Sequence, residues 1–197
     1  MTREITVRKL IAGLKVTVDG KIEGADGTAD WVEAWSEDYG LTDQIDACLI
    51  GGTMYPGYEN YWTSIRDSPA TPAWITGKSP TSAEIEWAGF ASRTPHYVLS
   101  TKLSSARWPN TQFLRRPAEV KALKQQRGKD IYLMGGAQTT ASLIDAGMVD
   151  ELRLIVYPVV AGKGKALFAR SEGRHKLDLQ SVTPRPSGLV SLIYRVQ

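Results

Sequence analysis

Three short segments set glycine, hydroxyl and amide groups where a phosphate could be held. In Asp130-Ile-Tyr-Leu-Met-Gly-Gly-Ala-Gln-Thr-Thr140 an apolar run meets Gly135-Gly136 and passes into a helical pattern with a polar first turn. Glycine lets backbone approach a ligand without Cβ interference, and a helix N-terminus offers unpaired N–H groups and a positive dipole end to an anion. Leu49-Ile-Gly-Gly-Thr-Met54 repeats the arrangement with Gly51, Gly52 and Thr53, and Val98-Leu-Ser-Thr-Lys102 ends in Ser100, Thr101 and the cation Lys102. In a parallel sheet such strand ends lie along one edge, where α/β proteins bind ligands. Taken singly each is an ordinary turn; taken together they outline a site for an extended nucleotide. A fourth segment, Gly13-Leu-Lys-Val-Thr-Val-Asp-Gly20, alternates apolar and polar positions and ends in Asp19, either a proton handler or one half of a turn pair. Gly13 on its polar face leaves room for a flat ring against the backbone.

Other chemistries drop out on reading. No G-x-G-x-x-G fingerprint is present, and Gly77-Lys78-Ser79 lacks a P-loop because Pro72 stands where its first glycine belongs. Neither G-x-S-x-G nor S-x-x-K occurs, so the common serine nucleophiles are absent. His96 and His175 stand apart without metal-ligand spacing, and the single Cys48, in the apolar run 47–50, reads as a buried thiol rather than a disulfide or zinc ligand. No metal is expected. The net charge of +3 is dispersed, with Lys and Arg paired at most, which argues against nucleic acid. There is neither a signal-peptide pattern nor a long apolar segment, so a cytoplasmic protein with a small-molecule substrate and no membrane partner is expected.

The elements that must position these residues alternate. Strand patterns fall near 4–18, 47–50, 96–100, 111–114, 130–134 and 151–158, with a closing pair near 176–183 and 189–196. Helical patterns fall near 30–45, 53–60, 81–92, 117–127 and 137–146. Pro117 in a first turn and Gly128 and Gly147 just past two ends mark the clearest boundaries. The alternation predicts a mainly parallel sheet covered on both faces. The turn-rich Thr183-Pro-Arg-Pro-Ser-Gly188 predicts an antiparallel C-terminal hairpin. Residues 64–82, with three prolines, read as a surface loop. No repeat or linker divides residues 1–197, so one domain is expected.

In order along the chain, these pieces resemble the dihydrofolate-reductase-like superfamily, and within it the branch of the riboflavin-biosynthesis pyrimidine reductases (the reductase domain of the deaminase-reductase). Thr17-Val-Asp-Gly-Lys-Ile22 and Gly27-Thr-Ala-Asp-Trp31 are similar to its S-x-D-G…G-x-x-x-W opening. Asp46-Ala-Cys-Leu-Ile-Gly-Gly-Thr-Met-Tyr55 is similar to its D-x-x-x-x-G-x-x-T-Y segment. Tyr97–Lys102 with Trp108-Pro-Asn-Thr111, Met134-Gly-Gly136, Val149-Asp-Glu-Leu152, Pro158-Val-Val-Ala-Gly162 and Gly164-Lys-Ala-Leu-Phe168 follow in the family's order.

The resemblance implies a three-layer sandwich around a central twisted, mostly parallel sheet, and a homodimer. It implies NADPH across the strand ends, with NADH not excluded. Gly51, Gly52 and Thr53 would meet the cofactor phosphates, Ser100, Thr101 and Lys102 the adenosine 2′-phosphate, and Gly135, Gly136, Ala137, Gln138 and Thr139 the pyrophosphate. Thr17, Asp19 and Trp31 would border nicotinamide and substrate, with Asp19 catalytic. The implied chemistry is hydride transfer to the ribosylamino group of a pyrimidine, as in 5-amino-6-(5-phosphoribosylamino)uracil reductase. A reductase of an unrelated carbonyl, imine or pteridine compound, or a non-catalytic nucleotide-binding protein of the same fold, stays open. Two departures bear on this: Gly13 stands where the branch usually has lysine, and Gly52 where many relatives have a phosphate-binding arginine.

Overall fold

The computed structural model describes residues 7–197. The strands are β1 (Leu10–Thr17), β2 (Lys21–Gly24), β3 (Ile45–Gly51), β4 (His96–Leu99), β5 (Thr111–Leu114), β6 (Asp130–Leu133), β7 (Glu151–Tyr157), β8 (Gly164–Ala166), β9 (Leu177–Pro184) and β10 (Val190–Val196). The helices are α1 (Tyr55–Asp67), α2 (Ser82–Arg93), α3 (Pro117–Lys124) and α4 (Ala137–Asp145). One eight-stranded sheet runs in the order β5-β4-β3-β6-β1-β7-β10-β9, and β2 pairs with β8 in a separate ribbon. From β5 to β7 every pairing is parallel. Only β10 runs antiparallel, against β7 on one side and β9 on the other.

This is the α/β architecture expected, and the cause is legible. β1 is buried along its whole length, as a central strand covered on both faces must be. Its alternate residues feed two cores. Ile11 joins Ile50, Tyr55, Tyr58, Trp62 and Trp87 beneath α1 and α2. Leu10, Ala12, Leu14 and Val16 join Leu133, Val120, Leu143 and Ile144 beneath α3 and α4. Helix α4 buries Ala137, Thr140, Ala141 and Ile144, the spacing of one helical face. It stops where Gly147 adopts φ +64 and the N–H groups of Gly147 and Met148 close on Ile144 and Leu143.

Several sequence expectations are corrected. No helix forms over 30–45. Glu37 there accepts hydrogen bonds from the N–H groups of Tyr39, Leu41 and Thr42, Glu84 accepts from Trp35 N–H, and Lys15 Nζ takes the carbonyls of Ala34 and Ser36. Side chains thus satisfy backbone groups that a helix would have paired internally. The helix expected over 53–60 starts at Tyr55 and continues to Asp67, because Tyr58, Tyr61, Trp62 and Ile65 all bury on one face. The irregular segment is correspondingly shorter than 64–82. The ribbon β2–β8 had no periodic signal, being short and rich in Lys and Glu. The first strand begins at Leu10 rather than near 4, and residues 4–6 lie outside the described ones. No helix among the described residues is long and apolar enough to cross a membrane.

Candidate functional site

The C-terminal ends of β4, β3 and β6, adjacent in the sheet, open into a cleft of about 1110 Å³ that continues along β1 beneath the ribbon β2–β8. Ten of the residues expected at a cofactor line it: Gly51, Gly52, Thr53, Ser100, Thr101, Lys102, Gly136, Ala137, Gln138 and Thr139. The feature best suited to an anion is the start of α4. Gly136 is its N-cap, no side chain caps it, and its first turn carries no acid. Thr140 N–H is the first to find an intrahelical acceptor, the Gly136 carbonyl, so the N–H groups of Ala137, Gln138 and Thr139 have none among the described residues. Thr140 Oγ1, in the same turn, is buried without a partner among the described residues.

The glycines divide by role. A Cβ on Gly136 would meet only Met54 Sδ, at 4.0 Å, so its front is open cleft. Gly135 does not line the cleft. It sits at φ +97 behind Gly136, joined by a cis peptide, and its carbonyl accepts from Gly51 N–H at 2.9 Å. Gly51 and Gly52 face protein, not open space: a Cβ on Gly51 would strike Thr139 Oγ1, and one on Gly52 would strike Ser100 Cβ and Oγ. Their N–H groups are also committed, to Gly135 and Leu99 carbonyls. Of the Gly51-Gly52-Thr53 trio only Thr53 retains an N–H without an acceptor among the described residues. The arginine that many relatives carry at Gly52 has no room here while Ser100 stays in place.

At the far end of β4, Ser100 Oγ accepts from the N–H groups of Lys102 and Leu103, fixing the turn that presents Lys102. Arg115, which sequence reading did not single out, joins it. Its guanidinium lies 5.5 Å from the Phe113 ring centre and donates to the carbonyls of Ser100 and Leu103. Arg170 lines the cleft beyond α4. Unpaired N–H groups, an orphaned hydroxyl and three cations along one wall fit a dinucleotide's phosphates.

Thr17, Asp19 and Trp31, expected at the substrate, are not among the lining residues. The Asp19 carboxylate accepts from Thr17 Oγ1 at 2.6 Å, Ala161 N–H at 3.1 Å and Gly162 N–H at 2.8 Å. These donors, the Thr17 hydroxyl foremost, hold its pKa down to about 2. In this arrangement Asp19 fastens the chain leading into β8 and so holds the ribbon over the cleft. Trp31 packs beside Val32, Ile155 and Tyr157, its Nε1 buried without a partner among the described residues.

That end of the cleft is instead built from aromatic rings and one buried cation. Trp35, Tyr61, Trp62, Trp74, Trp87 and Tyr132 line it. The space beside Gly13 is taken by the protein's own rings, since a Cβ there would lie 2.9 Å from Tyr132 Cε2 and 3.0 Å from Tyr39 Cδ2. Lys15 is buried and bonded to Asp38 Oδ2 at 2.7 Å, and burial lowers its pKa against the pull of Asp38. The sequence signal for this wall was the Tyr58-x-x-Tyr-Trp62 spacing, visible only once α1 is known to continue past residue 60.

Residues 8–191 match the family of the RibD C-terminal domain. The protein YyaP of Bacillus subtilis (strain 168) is 33% identical over 200 residues, covering 98% of both chains. Among solved structures, a putative riboflavin biosynthesis protein from Shewanella sp. PV-4 superposes with a TM-score of 0.66 at 14% identity, covering 96% of this chain and 99% of that one. Dihydrofolate reductase from Enterococcus faecalis superposes with a TM-score of 0.54 at 14% identity, covering 95% and 94%. The strand order, the glycine-led start of α4 and these likenesses agree: the chain belongs to the RibD C-terminal domain family and has the dihydrofolate-reductase-like fold.

Proposed function

We propose that the chain is a reductase that binds a reduced nicotinamide dinucleotide, NADPH in preference to NADH, and acts on a small heterocycle. The observation that carries this reading is the uncapped start of α4, where Gly136 leaves open space in front of three N–H groups without an acceptor among the described residues. In this reading Ala137, Gln138 and Thr139 hold the pyrophosphate through backbone N–H, with Gly136 giving it room. Lys102 and Arg115 meet the 2′-phosphate. When bound, a reduced nicotinamide supplies a hydride from C4 to an electrophilic carbon of the substrate, and the neighbouring atom takes its proton from water. The protein's own contribution is orientation of the two reactants. The ribbon β2–β8, held by Asp19, covers the reacting end, and Ile22, Glu23 and Lys165 face the cleft from it. Membership in the family supports the reductase reading; the ribosylamino-pyrimidine of riboflavin synthesis is its nearest named substrate.

Titration with NADPH and with NADH, followed by tryptophan fluorescence, tests it, because Trp35, Trp62, Trp74 and Trp87 all border the cleft. Saturable binding, tighter for NADPH, and a narrower gap between the two cofactors in Lys102→Gln, are expected. Binding of neither cofactor by folded protein would reject the reading.

A further inference from the structure

The end of the cleft away from α4 has a composition that selects its occupant. Its walls are rings set edge to face: Tyr61 and Trp74 lie 5.9 Å apart at 78°, Trp62 and Trp87 6.5 Å apart at 77°, and Trp87 and Tyr132 6.0 Å apart at 69°. Much of this is core, with Tyr61, Trp62 and Trp87 all buried. The wall is nonetheless open on one side, because Trp74 is 57% exposed and Ile75 49% exposed while both line the cleft. Such rings receive a flat, conjugated ligand by stacking and edge contact.

The charges at this end are already spent. Lys15 directs its three N–H bonds to Ala34 O at 2.7 Å, Ser36 O at 3.3 Å and Asp38 Oδ2 at 2.7 Å. Lys165 pairs with Glu23 at 3.2 Å. The Glu37 carboxylate accepts from the N–H groups of Tyr39, Leu41 and Thr42. Arg185, behind the loop, donates to the Asp38 carbonyl and does not line the cleft. Two neutralised pairs and a further carboxylate leave, among the described residues that line this end, no cation free to meet a phosphate. Of the cations that line the cleft, Lys102, Arg115 and Arg170 have no acid partner among the described residues, and they stand at the cofactor end.

We infer that the substrate is a flat, uncharged conjugated ring without a phosphate group, unlike the phosphoribosylated pyrimidine of the nearest named reaction. Its C=N or C=C bond takes the hydride on carbon and a proton from water on the partner atom. The direction of that chemistry rests on the reductase reading; the aromatic receptor does not.

Calorimetric titration of NADP⁺-saturated protein with dihydroneopterin, lumazine and dihydroneopterin triphosphate tests the inference, the cofactor blocking the phosphate sites beside α4. At least one unphosphorylated ring should bind about tenfold or more tightly than the triphosphate. Trp74→Ala, at an exposed position, should weaken ring binding about fivefold and leave NADPH affinity unchanged. Equal or tighter binding of the triphosphate, binding of no ring, or ring affinity indifferent to Trp74→Ala would overturn it. The same titrations without cofactor separate the two claims. Ring binding without NADPH binding discards the reductase alone, and NADPH binding without ring binding discards the receptor alone.

Discussion

Gly136 offers the cleanest perturbation in the molecule. Its φ of −76° and ψ of −169° are open to any L-residue, and a Cβ built there meets nothing nearer than Met54 Sδ at 4.0 Å. The fold should therefore accept a side chain. Gly136→Ala should stabilise the protein by about 0.4–1 kcal/mol, through lost freedom of the unfolded chain. The cofactor site should not accept it, because the side chain projects into the space in front of the Ala137, Gln138 and Thr139 N–H groups. A charge-assisted hydrogen bond contributes about 1.5–3 kcal/mol, so displacing two costs about 3 kcal/mol or more, a loss of at least about a hundredfold in affinity. Gly136→Ala, with one methyl, should fall between wild type and Gly136→Val. The assay is calorimetric titration with NADPH, paired with thermal denaturation of each variant. A folded Gly136→Val protein whose dissociation constant stays within about threefold of wild type would refute the phosphate cradle, whatever else the cleft binds.

Three further outcomes follow from the hydrogen-bond pattern. Asp19→Ala removes the acceptor for Ala161 and Gly162 N–H, so hydrogen exchange over 161–166 should quicken and the KM for substrate should rise more than NADPH affinity falls. Unchanged exchange there would show that the ribbon is held by other contacts. Because Asp19 is depressed to about 2, its clamp should persist at all pH values above the ordinary carboxylate range and fail only as pH falls from about 4 towards 2. His96 is fully buried, with Nδ1 2.8 Å from Thr94 O and Nε2 3.2 Å from the Tyr58 hydroxyl, and burial lowers its pKa to about 4. The unfolded chain then binds the extra proton between its ordinary value and about 4. Stability should therefore drop as pH falls through that window, by a total of about 3 kcal/mol. Denaturant midpoints measured across the range should show this slope, and His96→Gln should flatten it.

The three strand ends were readable because their signals are local. A buried parallel strand is an apolar run, a helix start next to a ligand is glycine followed by polar residues, and both occupy a few consecutive positions. The hairpin β9–β10 and the ends of α3 and α4 were visible for the same reason, in Pro, Gly and turn residues. The motif order from Asp19 to Phe168 carried the family. Residues 30–45 went astray because their backbone is satisfied by Glu37, Glu84 and Lys15, and two of these are distant in sequence.

What the chain's order of residues determined by itself was therefore the alternation of elements, the parallel sheet and the glycine-led start of α4, each set by neighbours along the backbone. Tertiary structure alone decided which groups are free. It committed the Gly51 and Gly52 N–H groups to the sheet and turned Asp19 to Ala161 and Gly162. It also neutralised Lys15 with Asp38 and gathered rings from α1, α2, β6 and two loops into one wall. A hydrogen bond or a charge pair has no signature in either partner's local sequence. Whether a donor is left for a ligand depends on which distant acceptor the fold has already brought to it.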